Sequence, residues 1–286
     1  MKQFYTLLLI IFTLTANAQN IEDILDQQLT DNQEPVYTDA VFKSVQLINA
    51  HTTKIPGKGE LVFLISHRFG PLSSGFSDLW GLDLATIRLG LEYGLSETTS
   101  IGIGRSTYKS NWDFFAKQLL LRQSDGNKSI PLTLGLLASM NISSDKWPDD
   151  GRKYLFAHRM NYSFQILASR KFNQSISLQL MPTYIHYNLV KTPDDSNDLF
   201  ALGAGGRFKI TKWMALTGEY HYLFNKNDSG IHNPLSFGAE IETGGHVFQL
   251  FFTNATGIFE SAYIAETTGS WLKGDIRFGF NISRTF

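Results

Sequence analysis

Ionisable residues recur along this chain with apolar residues between them, and that spacing limits the chemistry available to them. Arg88 and Glu92 alternate with Leu89, Leu91 and Tyr93. Arg207 and Lys209 alternate with Phe208 and Ile210, Glu219 and His221 with Tyr220 and Tyr222, and Glu240 and Glu242 with Ala239 and Ile241. Arg122, Arg159, Asp275 and Arg277 fall on the polar sides of similar runs. A two-residue period places side chains on alternate faces of a β-strand, so these charges share polar faces whose reverse sides are apolar. Both signs occur in similar numbers. Such faces suit a lumen whose charges pair with one another and with water, or a permeation path that coordinates a polar solute.

Two constellations have the residue types of a catalytic site. Glu219 and His221, two apart on one strand face, could form an acid–base pair, although that spacing is common by chance. His158 and His186 have the parity of the apolar face. The turn around Asn173 is expected to bring them about opposite each other near one rim. This placement resembles that of outer-membrane phospholipase, a barrel with a His-dependent site on its lipid-facing wall. The resemblance would imply an enzyme acting on envelope lipid, but no Ser stands on the same face to act as nucleophile, so no catalytic residue is assigned. The acidic pairs Asp149–Asp150 and Asp194–Asp195, with Asp198 nearby, carry oxygens that suit Ca²⁺, and solvated loops account for them equally. There is no phosphate-binding glycine loop, no zinc-ligand spacing and no serine hydrolase elbow. With no cysteine in the chain, thiolate metal sites, disulfides and cysteine nucleophiles are also excluded. No metal and no cofactor is expected.

The elements that must position these residues are strands. In the last stretch, Leu272, Ile276, Phe278, Phe280, Ile282 and Phe286 share one face, and Lys273, Asp275, Arg277, Gly279, Asn281 and Ser283 the other. A strand that ends on an aromatic residue, apolar on one face only, is what the closing strand of a membrane barrel requires, so Phe278, Phe280, Ile282 and Phe286 are read as its assembly signal. Phe156 to Arg170 and Ile176 to Asn188 alternate as clearly, and Pro182 within the second predicts a bulge. Tight turns near 95–98, 124–129, 172–174, 211–212 and 243–245 alternate with longer links near 70–83, 143–154, 189–198, 226–234 and 255–270, with one short exception at 109–111. That alternation predicts an all-β, up-and-down antiparallel transmembrane β-barrel of about 12 strands, or about 14 if Val45 to Thr53 and a partner join. A soluble sandwich would instead show Greek-key crossings. Two positions conflict with this parity. Arg105 falls with Ile101 and Ile103, and Lys117 with Phe115 and Leu119, and a basic side chain facing mid-bilayer costs about 2–4 kcal/mol.

Composition sets the surroundings. Lys2, an apolar run from Tyr5 to Leu14 and the small residues Ala16–Asn17–Ala18 predict a secretory signal peptide over residues 1–18. No cysteine follows to take a lipid anchor. Residues 19–43 read as a partly disordered periplasmic lead-in and 44–286 as the barrel, placed in the outer membrane of a diderm bacterium. A net charge of −1 offers no basic stripe for nucleic acid. Aromatic residues make up 13% of the chain, enough to supply interfacial girdles. The expected partners are outer-membrane lipid, the barrel-assembly machinery and a small solute.

His67-Arg68-Phe69-Gly70, Gly245-His246-Val247-Phe248-Gln249-Leu250 and Phe278-Gly279-Phe280-Asn281-Ile282-Ser283-Arg284 together resemble a bacterial outer-membrane β-barrel family known as a domain of unknown function. The resemblance extends over most of residues 45–286, implies a similar barrel, and carries no site residues. The resulting expectation is a porin-like passive channel or transporter for a small polar solute. The alternatives are an enzyme acting on envelope lipids, which needs a nucleophile beside His158 or His186, and a structural or docking barrel, which needs a plugged lumen.

Overall fold

The computed structural model describes residues 35–38, 40–126 and 129–286. The expected signal peptide and most of the lead-in lie outside them. Two units are distinguished. In the smaller one, Val36–Tyr37 pairs antiparallel with Ser124–Asp125, and Thr38 N–H donates to Gln123 O at 2.8 Å. The larger unit, residues 39–122 and 132–286, is the barrel.

Twelve antiparallel strands close on themselves. They are β1 (Leu61–Pro71), β2 (Ala85–Gly94), β3 (Thr99–Ser106), β4 (Asn111–Leu121), β5 (Thr133–Ser143) and β6 (Met160–Lys171), followed by β7 (Ile176–Tyr187), β8 (Asp198–Lys209), β9 (Met214–Leu223), β10 (Leu235–Thr243), β11 (His246–Thr253) and β12 (Arg277–Thr285). Each pairs with its sequence neighbours, and β12 returns to β1 with Ile282 opposite Ile65 and Thr285 opposite Val62. The main chain of Phe286 exchanges hydrogen bonds of 3.1 and 2.9 Å with Leu61. Closure leaves no strand edge, so the ladder groups pair inside the wall, which is the condition for crossing lipid with strands. Tight connections such as 95–98 and 244–245 gather at one end (the turn end) and long ones such as 144–159 and 254–276 at the other (the loop end).

Alternation decides which residues face out. Leu89, Leu91, Ile101, Phe164, Ile166, Leu178, Leu180, Phe237 and Leu250 are all exposed on the outer surface. Such a belt is far too large an apolar patch for a water-facing monomer, and it is satisfied in hydrocarbon. Many inward positions are polar: Ser66, Arg68, Arg88, Glu92, Asn141, Gln179, Glu219, Gln249 and Asn281 are all buried.

Several expectations need correction. Val45 to Thr53 is not a wall strand, so the 14-strand alternative fails; this stretch lies inside the barrel. Lys117 needs no rescue from lipid, because its whole face, including Phe115 and Leu119, points inward and is buried. Arg105 does face out, but at the loop-end rim. There its guanidinium reaches the carbonyls of Ser106 and Asn111 and lies 5.3 Å from the Trp112 ring centre. Pro182 causes no bulge. The ladder to β6 skips the pairs beside it and resumes in the same register, Gln165 opposite Thr183 and Ala168 opposite Leu180. The final strand starts at Arg277 rather than Trp271, because residues 271–273 form a turn of 3-10 helix.

The seam between β12 and β1 is covered outside by rings. Phe280 stacks on His67 at 4.9 Å, and Phe278 on Phe69 at 5.8 Å and against Phe252 at 5.7 Å. Replacing both Phe278 and Phe280 by Arg sets two charges into the apolar band at about 2–4 kcal/mol for a mid-bilayer position, and also removes the stacking. The double variant should lose the fast-migrating, unheated form on detergent gels. Phe156→Arg in the loop 144–159 should keep it, and equal behaviour of the two would show that the seam does not govern closure.

Candidate functional site

The lumen is filled by two inserted segments. From the turn end comes a hairpin of residues 41–56. Thr52 N–H bonds to Val45 O, Leu47 N–H to Ala50 O at 2.8 Å, and Gln46 bridges His51, so residues 47–50 form its tip. Both legs leave at the turn end. Lys43 pairs with Glu242 near the end of β10 at 3.2 Å, and the Gly57 carbonyl lies so close to Gly94 that a Cβ there would sit 2.1 Å from it. From the loop end comes the 254–276 connection, whose single α-helical turn, α1 (Glu260–Ala265), is wholly buried.

Glu219, midway along β9, holds the hairpin tip. Its carboxylate accepts the backbone N–H groups of Ile48, Asn49 and Ala50 at 3.3, 2.9 and 3.2 Å, and the Asn49 side-chain amide at 2.6 Å. Three successive amides pointing at one anion form a backbone nest. Around it, Gln249 donates to Gln46 O and Leu47 O at 3.0 and 2.7 Å, and Asn281 donates to Ile48 O at 2.8 Å. The Arg68 guanidinium donates to Asn49 Oδ1 and to Ile48 O, and lies over the Phe251 ring at 4.2 Å. Further along the hairpin, Gln179 accepts Thr53 N–H and donates to His51 O, Ser169 meets the Thr53 hydroxyl at 2.6 Å, and Lys117 donates to Lys54 O. Gly205 makes room for Leu47, whose Cδ2 would sit 2.4 Å from a Cβ at that position.

The remaining inward charges pair within the wall. Lys117 and Glu92 are 2.9 Å apart, Arg207 and Glu240 2.7 Å, and Arg88 grips Asp113 through Nε at 2.9 Å and through Nη2. The cavity left beside the hairpin, between Gln46, His51, Arg88, Glu92 and Phe115, is about 10 Å³, about the space of one water. The loop half is richer in apolar groups, although Ser139 donates to Glu260 and Tyr187 to Ser261 O, both at 3.1 Å. Tyr263 and Ile264 pack with Leu137, Leu167, Ile185, Leu199 and Leu223 from the wall.

The two insertions meet at His51 and Glu260, with Nε2 3.4 Å from Oε1. The other charged groups around His51 are Lys117, Arg88 and Glu92. Burial, then the Lys117 and Arg88 charges, hold the His51 imidazole well below its ordinary pKa. Burial pushes the Glu260 carboxyl up, with Asp113 adding to it. Both shifts favour the neutral forms.

Of the lumen-lining candidates, Arg88, Glu92, Arg207, Glu219, His221 and Glu240 are buried and inward. Lys209 is half-buried at the end of β8. Asp275 lies in the 254–276 loop, where it accepts from Ser73 at 2.8 Å, and Arg277 begins β12, donating to Phe69 O. Arg159 sits outside the wall. It belongs to the 3-10 turn Phe156–Arg159 and caps the carbonyls of Ser143 and Asp145 under the Trp147 ring. Glu219 and His221 do not act as an acid–base pair here, since Glu219 is committed to the hairpin and His221 is buried edge-on to Tyr263 at 5.2 Å.

His158 and His186 are not opposed either. His186 faces Tyr162 across the ladder, and His158 lies in the turn before β6, its Nδ1 accepting Leu155 N–H. His186 Nδ1 is 2.7 Å from Asp198, which also accepts the Tyr184 hydroxyl at 2.6 Å. Among the described residues no serine hydroxyl is bonded to either ring. Asp150 accepts the Tyr154 hydroxyl at 2.6 Å and Asp195 the Thr192 N–H at 3.0 Å, so these carboxylates serve local turns. His158 and Arg159 line a mouth cleft of about 270 Å³ with Lys109, Trp147, Phe259 and Glu266.

Glu219→Gln keeps the size of the side chain and removes the charge that the three amides share. Hydrogen bonds to a charged group contribute about 1.5–3 kcal/mol each. Hydrogen exchange at the amides of residues 48–50 should therefore quicken about tenfold or more, with the wall strands unaffected. Unchanged exchange at the tip would mean that packing alone retains the hairpin.

A family model described as "Membrane bound beta barrel domain (DUF5777)" matches residues 42–286, which include the hairpin as well as the wall. No curated protein matches. Among solved structures, the NanC porin in a rhombohedral crystal form is 10% identical, with a TM-score of 0.49 over 79% of this chain and 98% of that one. The KdgM porin is 8% identical, with a TM-score of 0.46 over 79% and 99%. Acinetobacter baumannii Omp33 is 8% identical, with a TM-score of 0.45 over 80% and 99%. These likenesses are too distant to carry an argument about this chain, whereas the family match spans the hairpin and the complete strand set: the chain belongs to the membrane bound beta barrel domain family (DUF5777).

Proposed function

We propose that the protein is a gated pore for small polar solutes, closed by the 41–56 hairpin and opened by its withdrawal toward the turn end. The observation that supports this reading is the polarity of the wall that holds the hairpin. Glu92–Lys117, Arg88–Asp113 and Arg207–Glu240 pair within the wall and keep their partners when the hairpin leaves. Glu219, Gln249, Asn281 and Arg68 would exchange its bonds for water. Permanent filling does not require this chemistry, since replacing buried ion pairs by packed apolar residues is often neutral or stabilising by about 1–4 kcal/mol. In this reading the chain is exported by a signal peptide and inserted by the assembly machinery through its Phe278–Phe286 strand. It rests in the outer membrane with the short turns facing the periplasm.

In planar bilayers the intact protein should be silent or open rarely. A variant with residues 41–54 replaced by a flexible linker should give discrete conductance steps. The chain has no native cysteine, so Thr53→Cys with Ser169→Cys provides a clean lock that should stay closed until reductant is added. Silence of the linker variant, with its barrel intact on gels, would favour a docking barrel whose filled lumen is permanent.

The His51 shift gives the gate a pH dependence. Withdrawn, His51 takes up a proton below about pH 6.5, whereas docked it stays neutral, so acid favours withdrawal. Glu260 acts oppositely. Its docked carboxyl holds a proton above the ordinary 4.5, so between 4.5 and that raised value acid favours docking. Glu260→Gln isolates the first effect, and its open probability should rise by up to about tenfold per pH unit below 6.5. Adding His51→Gln should flatten the profile, and a flat profile in Glu260→Gln alone would show that His51 stays buried during opening.

A further inference from the structure

The bonds between wall and hairpin go mainly to the hairpin's main chain. Glu219 takes three amide N–H groups, Gln249 two carbonyls, Asn281 and Arg68 the Ile48 carbonyl, Gln179 one N–H and one carbonyl, and Lys117 one carbonyl. Side-chain hydrogen bonds to the wall are confined to Asn49, Thr53 and the peripheral Lys43; Leu47 packs against Gly205 and the His51 ring against Phe115, while Ile48 supplies both a donor and an acceptor from its backbone. Donors and acceptors of the wall are therefore spaced for the repeating N–H and C=O groups of a polypeptide. A sugar or a simple ion presents no such series. The site also opens in one direction: α1 and the 254–276 loop close the loop end, and the hairpin legs leave through the turn end.

Resting on the gate reading, we propose that the lumen is a binding site for peptide main chain, specifically a tight turn presented at the turn end, and that the hairpin occupies this site in cis. The solute class is then peptide. A segment arriving from the turn side would displace the hairpin by making the same bonds to Glu219, Gln249 and Asn281. Because those bonds read backbone, it would be accepted with little regard to side chains outside the turn.

The experiment uses barrel purified in detergent with residues 41–54 replaced by a flexible linker, and labelled synthetic peptides followed by fluorescence anisotropy. The first probe has the sequence of residues 43–54. The second keeps residues 48–50 and shuffles the rest, and the third is the first with N-methyl groups on the amides of 48–50. A neutral oligosaccharide of similar mass serves as an unlabelled competitor. The first two peptides should bind within about fivefold of each other, the N-methylated one at least about tenfold more weakly, and the oligosaccharide should not compete. Glu219→Ala in the same barrel should erase the N-methylation difference. Intact full-length protein carrying the Thr53→Cys and Ser169→Cys lock should bind none of the peptides until reduced, which controls for misfolding of the linker variant. Binding of the first peptide alone, equal binding of the N-methylated one, competition by the oligosaccharide, or no binding to either unlocked form would each overturn the proposal. Binding is read without conductance, so silent bilayers with normal peptide binding would sink the gate and leave the site standing.

Discussion

A carboxylate buried midway along a membrane barrel must be neutralised, hydrated or hydrogen-bonded, because an isolated ion in a low-dielectric interior is prohibitively costly. Glu219 takes the third course, with three consecutive backbone amides and one side-chain amide around it. Those amides in turn belong to a hairpin tip, whose N–H groups would otherwise be buried without partners. Each side thus satisfies the other, and neither is stable alone in a dry lumen. The position of the hairpin, the emptiness left for only about one water beside it, and the neighbouring Arg68–Asn49 and Gln249 contacts all follow from that exchange.

The barrel interior divides into two halves of different emphasis. Toward the turn end, the hairpin meets charges and amides and is held by directional bonds, with Phe42, Leu47 and Ile48 buried as well. Toward the loop end, α1 meets Leu167, Ile185, Leu199 and Leu223 and is held mainly by packing, with Ser139 donating to Glu260 and Tyr187 to the Ser261 carbonyl. Directional bonds can be traded for bonds to water at little net cost, since a typical intramolecular hydrogen bond is worth only about 0.5–1.5 kcal/mol net. Apolar packing has no such substitute: exposing a buried aliphatic or aromatic side chain costs about 1.5–3 kcal/mol each. On the gate reading the hairpin, which has the larger share of directional bonds, is the segment that leaves, and the loop helix is the one that stays.

The wall was largely legible in the sequence because its signal is local. Two-residue alternation, turn residues and connection lengths are each readable within a few positions, and they place the twelve strands and the inward parity of Arg88, Glu92, Arg207, Glu219 and Glu240. The filling was not legible, because its partners lie far apart along the chain. Nothing near Val45 to Thr53 says that Glu219 or Gln249 awaits it, and its β-rich composition reads as another strand. The inward face of Lys117 is hidden for the same reason: Phe115 and Leu119 look lipid-facing until the lumen is known to hold apolar side chains. One overlooked signal was available. Gly94 and Gly205 fall at inward positions, where a Cβ would collide with residues 57 and 47, and glycine inside a strand marks a close approach by another backbone or a ligand.

The same division of the lumen bears on how a closed barrel can remain responsive. Closure by a bonded wall removes every backbone edge and makes the cylinder itself stiff, so a change in the passage has to come from what is inside it. The only contact joining the two insertions through titratable side chains among the described residues is His51 with Glu260, both held toward their neutral forms. With its imidazole held toward the neutral form, the pair carries little of the Coulomb attraction that an ion pair would have in the same place. It couples the hairpin to the loop helix weakly, so one insertion can move without pulling the other out of its apolar bed. A strong ion pair at that junction would tie the hairpin to the loop helix. On the gate reading, its weakness would let the hairpin move while the loop helix stays.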